Sequence, residues 1–180
     1  MIRLDSPKGP PATVDSIAMG ADYWYVSTSS YAGAPSAHCV SRAPRAGGVL
    51  EDVWCPSFMV LSLVSVNGML AGLNPWPWTD DPGPWAVDAS GHARAVARSG
   101  KDRQSLGLRA DPRGRRLYTV ERYPGNGIQP ATSDLLQFDV GSGQRTVLDH
   151  LEDPARHGWF FADAQSVFFT RGGEILRMEP

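Results

Sequence analysis

Apolar positions along the chain alternate with polar ones or gather in short runs, and they do not recur at the three-to-four spacing of an amphipathic helix. Glycine and proline interrupt the pattern every few residues, which limits each element to a short strand. The runs fall into units of two hairpins. The first unit reads DSIAM, Gly20, DYWYVS, a loop, CVSRAP, Ala46-Gly47-Gly48 and VLEDVW. The second reads LSLVSV, Asn67-Gly68, MLAGL, a Trp/Pro loop, PWAVDA, Ser90-Gly91 and HARAVA. The third reads SLGLRA, Asp111-Pro112-Arg113-Gly114, RRLYTVER, a loop, LLQFDV, Gly141-Ser142-Gly143 and QRTVLDH, and the fourth GWFFAD, a short turn, SVFFT, Arg171-Gly172-Gly173 and EILRME. Asn-Gly and Gly-Gly pairs between alternating runs are strong hairpin signals, because glycine accepts the positive φ that tight hairpin turns need.

Each unit is therefore predicted as four antiparallel strands, with second strands centred near Tyr25, Leu70, Tyr118 and Phe168. That recurrence, roughly every 45–50 residues, matches the blade of a β-propeller. A four-stranded sheet this small cannot bury both faces alone, so neighbouring units must stack. The expected fold is all-β and propeller-like, one domain with blades at about 13–55, 57–98, 104–150 and 156–180. The fourth unit lacks a last strand, and Ile2-Arg3-Leu4 supplies an alternating run that would complete it from residues 1–6. Two arrangements follow: a small ring closed by the N-terminal strand, or four consecutive blades of a larger propeller.

SLGLRADPRGRRLYTVERY followed by LLQFDVGSGQRTVL resembles the repeat of TolB-like and NHL-like β-propellers, through Asp111, Pro112, Gly114, Leu117, Tyr118, Asp139 and Gly143. CVSRAPRAGG is similar to blades of bacterial sensor propellers attached to serine/threonine kinases, through Arg42, Pro44, Gly47 and Gly48. The resemblance implies a fold; such families bind many things, so it implies no single function.

The loops are uneven in a patterned way. Thr28–His38, Asn74–Pro84 and Arg122–Ser133 are long, whereas the hairpin turns are short. In a four-stranded blade the connection between strands two and three leaves on one rim and the two hairpin turns on the other, which places the long loops together. Insertions confined to one face of a repeat array commonly mark its binding side. The candidate ligand-binding residues on that rim are Tyr31, His38, Trp76, Trp78, Asp80, Asp81, Tyr123, Asn126 and Gln129. Aromatic planes beside short polar groups suit a glycan, a peptide or a partner protein. The competing role for Trp76 and Trp78 is a small satellite core folded over the second blade.

Composition narrows the function classes. The chain has 180 residues and a net charge of −2, without the basic surplus of a general nucleic-acid binder. No apolar run is long enough to cross a membrane, and MIRLDSPKGPP carries no secretory signal, so the chain reads as soluble; a bacterial extracytoplasmic location would require a leader or anchor outside it. No nucleophile elbow, zincin motif or phosphate-cradling loop is present, so the reading leans away from an enzyme, with no catalytic residue, metal ligand or cofactor assigned. Its alternative is a propeller-type hydrolase or lyase with a divalent metal near the central channel, using acids such as Asp15 or Asp163. Asp149, His150, Asp153 and His157 have ligand chemistry but no ligand spacing, and are expected to be a solvated connection. Asp88, with Asp80 and Asp81, is another set of oxygen donors read as loop acids. A three-residue turn at Ala46-Gly47-Gly48 makes opposite residue numbers total 94, as Cys39 and Cys55 do. The two are expected to be adjacent, as a disulfide or as two thiols.

Overall fold

The computed structural model describes residues 4–5, 13–30, 37–76, 82–99, 102–152 and 157–179. After β1 (Leu4–Asp5), sheet 1 contains β2 (Thr13–Met19), β3 (Tyr23–Ser30), β4 (Ala37–Pro44) and, beyond the short β5 (Gly48–Val49), β6 (Glu51–Trp54). Sheet 2 is β7 (Ser62–Val66), β8 (Met69–Asn74), β9 (Gly83–Val87) and β10 (Ala93–Ala95). Sheet 3 is β11 (Gln104–Ala110), β12 (Arg116–Tyr123), β13 (Thr132–Asp139) and β14 (Arg145–Glu152). Sheet 4 is β15 (His157–Ala162), β16 (Val167–Arg171) and β17 (Glu174–Met178). All four are antiparallel meanders, and no helix occurs among the described residues. This is the four-bladed, propeller-like architecture that the repeat predicts.

Burial is nearly continuous along β8, β12 and β13, because each inner sheet has a neighbour on both sides and successive side chains enter opposite gaps. Leu70 of β8 faces sheet 1 in a core with Ala18, Val40, Leu63 and Val87. The next residue, Ala71, faces sheet 3 in a core with Leu108, Leu117, Leu136 and Phe138. On β12, Leu117 points back to sheet 2, whereas Tyr118 points forward to Phe160, Val167 and Phe169 of sheet 4. One apolar cluster thus fills each gap between consecutive sheets. A buried Leu or Phe contributes about 1.5–3 kcal/mol relative to exposure, so these gaps hold the stack together.

Hydroxyl groups add register to this packing. Leu63 N donates to Ser16 Oγ at 3.0 Å, and Leu108 N donates to Ser62 Oγ at 3.0 Å. Each serine lies on the first strand of its sheet and takes an amide from the first strand of the next. Asn67 Nδ2 donates to Pro112 O at 3.0 Å and Arg94 Nη2 to Val140 O at 2.6 Å, aligning the tight turns of sheets 2 and 3 on one rim. Aspartates cap these turns: Asp139 Oδ1 accepts from Ser142 N at 2.7 Å, and Asp163 Oδ1 from Gln165 N and Ser166 N, each at 2.7 Å. The Ser142 and Gln165 amides lead in holding Asp139 and Asp163 below the ordinary carboxylate pKa.

Two expectations change. The N-terminal strand does not complete sheet 4; β1 pairs in parallel with β5, Leu4 opposite Gly48 and Asp5 opposite Val49, and β17 is the edge of a three-stranded sheet. Gly47 and Gly48, both at positive φ, let β5 leave the line of the hairpin and present a main-chain edge close in sequence. Closing that shorter loop costs about 1 kcal/mol less chain entropy than reaching β17. The turn is also not the three-residue one: Ser41 pairs with Asp52 and Arg42 with Glu51, and a bulge at Val53 then sets Val40 opposite Trp54. The bulge carries Cys39 to Cys55, and the two form a disulfide across sixteen positions of chain.

Candidate functional site

The long connections leave the ends of β3, β8 and β12. Pro75 O, at the start of the Trp/Pro segment, accepts from Ser105 N at 3.1 Å. Ser105 pairs with Glu121, two residues before Tyr123. The beginnings of the second and third long loops therefore share a rim, opposite the aspartate-capped turns. Tyr31, Trp78, Asp80 and Asp81 lie outside the described residues.

The loop at 124–131 is the long connection described throughout. Asn126 Oδ1 accepts from Ile128 N at 3.0 Å and Gln129 N at 2.8 Å, folding the tip into an Asx turn. Ile128 at the tip is 92% exposed. Asn126 and Gln129 are exposed, and Tyr123 is half-buried at the base. Trp76 is half-buried beside Asn74, whose Oδ1 accepts from Trp76 N at 3.4 Å. The third tryptophan of the segment, Trp85, packs against Trp54 and Phe58, with ring centroids 5.8 and 5.3 Å away. A satellite core thus exists, and Trp85 builds it. Gly72 makes room for it, since a Cβ there would lie 2.7 Å from Val60 Cγ1 and 3.3 Å from the Trp54 ring.

Polar networks lie beneath the rim. In sheet 1, Ser29 Oγ donates to Asp15 and meets His38 Nδ1 at 3.0 Å. In sheet 3, Asp134 of β13 binds both His150 of β14 and Arg103, just before β11. Next to them His157 is fully buried, with Nδ1 2.9 Å from Ser133 Oγ and Nε2 3.1 Å from Asp149 Oδ2. Arg171 Nη1 reaches the other Asp149 oxygen at 3.4 Å, and Arg122 Nη2 donates to His157 O at 2.8 Å. Burial holds the His157 pKa below its ordinary value, against the opposing pull of Asp149. A neutral ring whose Nε2–H donates to Asp149 accepts the Ser133 hydroxyl proton at Nδ1. Serine, histidine and aspartate are nucleophilic-triad types, yet Ser133 is 1% exposed, which makes the set an internal post between blades. The expected solvated connection is thereby corrected for His157: pairing on both ring nitrogens lets the side chain be buried.

Other candidates separate. Asp15 stands near the long-loop rim, whereas Asp163 caps the β15–β16 turn on the opposite rim, so the two acids named for a channel metal do not converge. Asp88 also sits on that opposite rim, bound to Ser90 Oγ at 2.6 Å and His92 N at 3.0 Å. The Ser90 hydroxyl leads in lowering its pKa. Among the described residues, Cys39, Asp52 and Cys55 are the group close enough to ligate a metal, and their sulfurs are joined to each other. The sequence did not indicate two concavities on the short-turn rim. One, of about 410 Å³, lies between sheets 2 and 3 beside Asn67, Asp88, His92 and Arg94. The other, of about 180 Å³, lies between sheets 1 and 2 beside Asp22, Tyr25 and Arg42.

No family model matches the chain, and no curated protein matches it. Solved structures do. An oligogalacturonate lyase in complex with manganese superposes with a TM-score of 0.66 at 11% identity, covering 89% of this chain and 51% of the lyase. TolB from Acinetobacter baumannii superposes with a TM-score of 0.56 at 17% identity, covering 79% of this chain and 35% of TolB. The fold is a TolB-like β-propeller fold. An oligogalacturonate lyase from Vibrio parahaemolyticus gives 0.62 at 10% identity, over 85% of this chain and 43% of that one. The chain thus spans about half the length of the lyases it resembles. At these identities the likeness concerns the fold.

Proposed function

We propose that this TolB-like propeller is a non-catalytic binding or sensor module that recognises a protein, peptide or glycan through its long-loop rim. The observation that carries this reading is the loop at 124–131. Its Asx turn fixes the backbone, so the exposed Ile128, with Tyr123, Asn126 and Gln129, is held out with little ordering cost on binding. The acids and histidines below it are bound to partners within the sheets. His38, Trp76 and the rim tryptophan Trp78 with Asp80 and Asp81 extend the same face in this reading, as does Tyr31.

The test is a glycan array and a peptide-display library screened with the wild-type chain, then with Tyr123→Ala/Ile128→Ser. Hits that the double variant loses, with its melting temperature unchanged, are the expected result. Hits that it retains but that vanish in His92→Ala/Arg94→Ala would move recognition to the cavity on the opposite rim and refute the proposal. The likeness to the manganese-bound lyase supports a second reading, a metal-dependent propeller lyase or hydrolase. Oligogalacturonate incubated with the chain and Mn²⁺, followed by absorbance of an unsaturated product, tests it; turnover above a metal-free control would favour the enzyme.

A further inference from the structure

Ten large apolar side chains are exposed among the described residues. Six of them lie on the outward faces of the two terminal sheets. On sheet 1 they are Val14 (53%), Ile17 (57%) and Met19 (53%), all on β2. The register places them on the face away from sheet 2, because Ile17 pairs with Val26 and Met19 with Trp24, whereas the intervening Ala18 enters the core with sheet 2. On sheet 4 they are Trp159 (80%) and Phe161 (60%) of β15 and Ile175 (77%) of β17. Phe161 pairs with Phe168, and Phe168 in turn with Arg177, on the face away from sheet 3, whereas Phe160 and Phe169 fill the core with sheet 3. Farther out on sheet 1, Val26 and Ala43 are already buried, so the open apolar strip follows the first strand.

The internal junctions show what such a strip packs against. Consecutive first strands lie side by side, β2 with β7, β7 with β11 and β11 with β15. The series ends with β15 presenting a tryptophan and a phenylalanine, and begins with β2 presenting a valine, an isoleucine and a methionine. Each end matches the kind of surface that the interior junctions bury. An exposed tryptophan beside a phenylalanine on a bare sheet face is the type of anchor that dominates association energy.

We infer that two copies of this chain associate head to tail, β15 of each against β2 of the other, in a closed two-fold pair. Both junctions are then equivalent, and each continues the stacking already present three times within the chain. A two-fold axis closes the series at eight sheets, whereas a rotation that is not a whole fraction of a turn would propagate into an open polymer.

Sedimentation velocity on the purified chain reads the mass directly. The expected species has twice the 19.5 kDa of one chain. Ile17→Glu/Met19→Glu and Trp159→Glu/Phe161→Glu each place charge in both junctions and should weaken pairing at least about 30-fold. Mixing the two variants is the decisive step. One junction of the mixed pair carries both defects, while the other is native on both sides, so mixing should restore a dimer. Ile17→Ser and Phe161→Ser, with the melting temperature monitored, repeat the test with changes that are milder for folding. A monomeric wild type, an open polymer, a dimer dissolved by one variant set alone, or a mixture that stays monomeric would each overturn the inference.

Discussion

Removing the Cys39–Cys55 bridge releases a loop spanning sixteen positions that the unfolded chain otherwise cannot open. In the chain-entropy treatment, closing a loop of that length removes about 10 cal/mol/K from the unfolded ensemble, or about 3 kcal/mol at room temperature. Urea unfolding followed by tryptophan fluorescence measures it, comparing the oxidised protein with Cys39→Ala/Cys55→Ala. With a denaturant slope of about 2 kcal/mol/M, the midpoint should fall by about 1.5 M. The same shift should appear in the wild type after reduction, since the constraint lies in the bond and not in the side chains. The bridge joins β4 to the segment after β6 across the Val53 bulge, so its loss also frees the outer strand of sheet 1. Two titratable thiols in denatured, unreduced protein, or a midpoint shift below about 0.5 M, would refute the reasoning.

Further predictions concern the junctions and turns. Ser62→Ala leaves Leu108 N without its hydroxyl acceptor between sheets 2 and 3, and should cost about 1–3 kcal/mol in the same urea assay. Gly143→Ala should cost about 2–3 kcal/mol, because φ is +73° and a Cβ would lie 2.5 Å from Val96 O, a main-chain atom that cannot move aside; a thermal shift of less than a degree would contradict this. His157, whose folded pKa is depressed by burial, favours the neutral ring, so the unfolded chain takes up the proton first. Stability should therefore be full above about pH 6.5 and decline as pH falls through that value towards the folded pKa; unfolding free energies measured from pH 8 to 5 should lose this slope in His157→Gln. The lowered pKa values of Asp88, Asp139 and Asp163 act in a separate window: their contribution is present above about pH 4 and is lost on further acidification, so Asp139→Asn should flatten the melting-temperature profile only in that acid range.

The blade repeat was legible because its punctuation is local. Asn67-Gly68, Asp111-Pro112-Arg113-Gly114 and Gly141-Ser142-Gly143 specify their own turns, and Gly68, Gly114 and Gly143 all adopt the positive φ that such turns require. The shared rim of the Trp/Pro and Tyr123 loops followed from the same count of strands. Long-range choices were not legible. Whether Leu4 pairs with Gly48 or reaches β17 depends on a kink created by two adjacent glycines, which a strand pattern reads simply as a turn. The burial of His157 depends on Ser133, Asp149 and Arg171, three residues brought together from different strands, none of which marks the others in sequence. The short-turn cavities are spaces between sheets, and spacing along one strand carries no trace of them.

The serine bridges between blades have a consequence for how far such a chain can diverge. Ser16 and Ser62 recognise amide groups of Leu63 and Leu108, not their side chains. Every non-proline residue offers that amide, so the partner positions can change identity while the alignment of neighbouring blades persists. The position before Leu108 is Gly107, which offers no hydroxyl, and the last junction relies instead on aromatic packing and the buried His157 post. Geometry kept by main-chain recognition leaves little trace in the side-chain spelling of the partner positions.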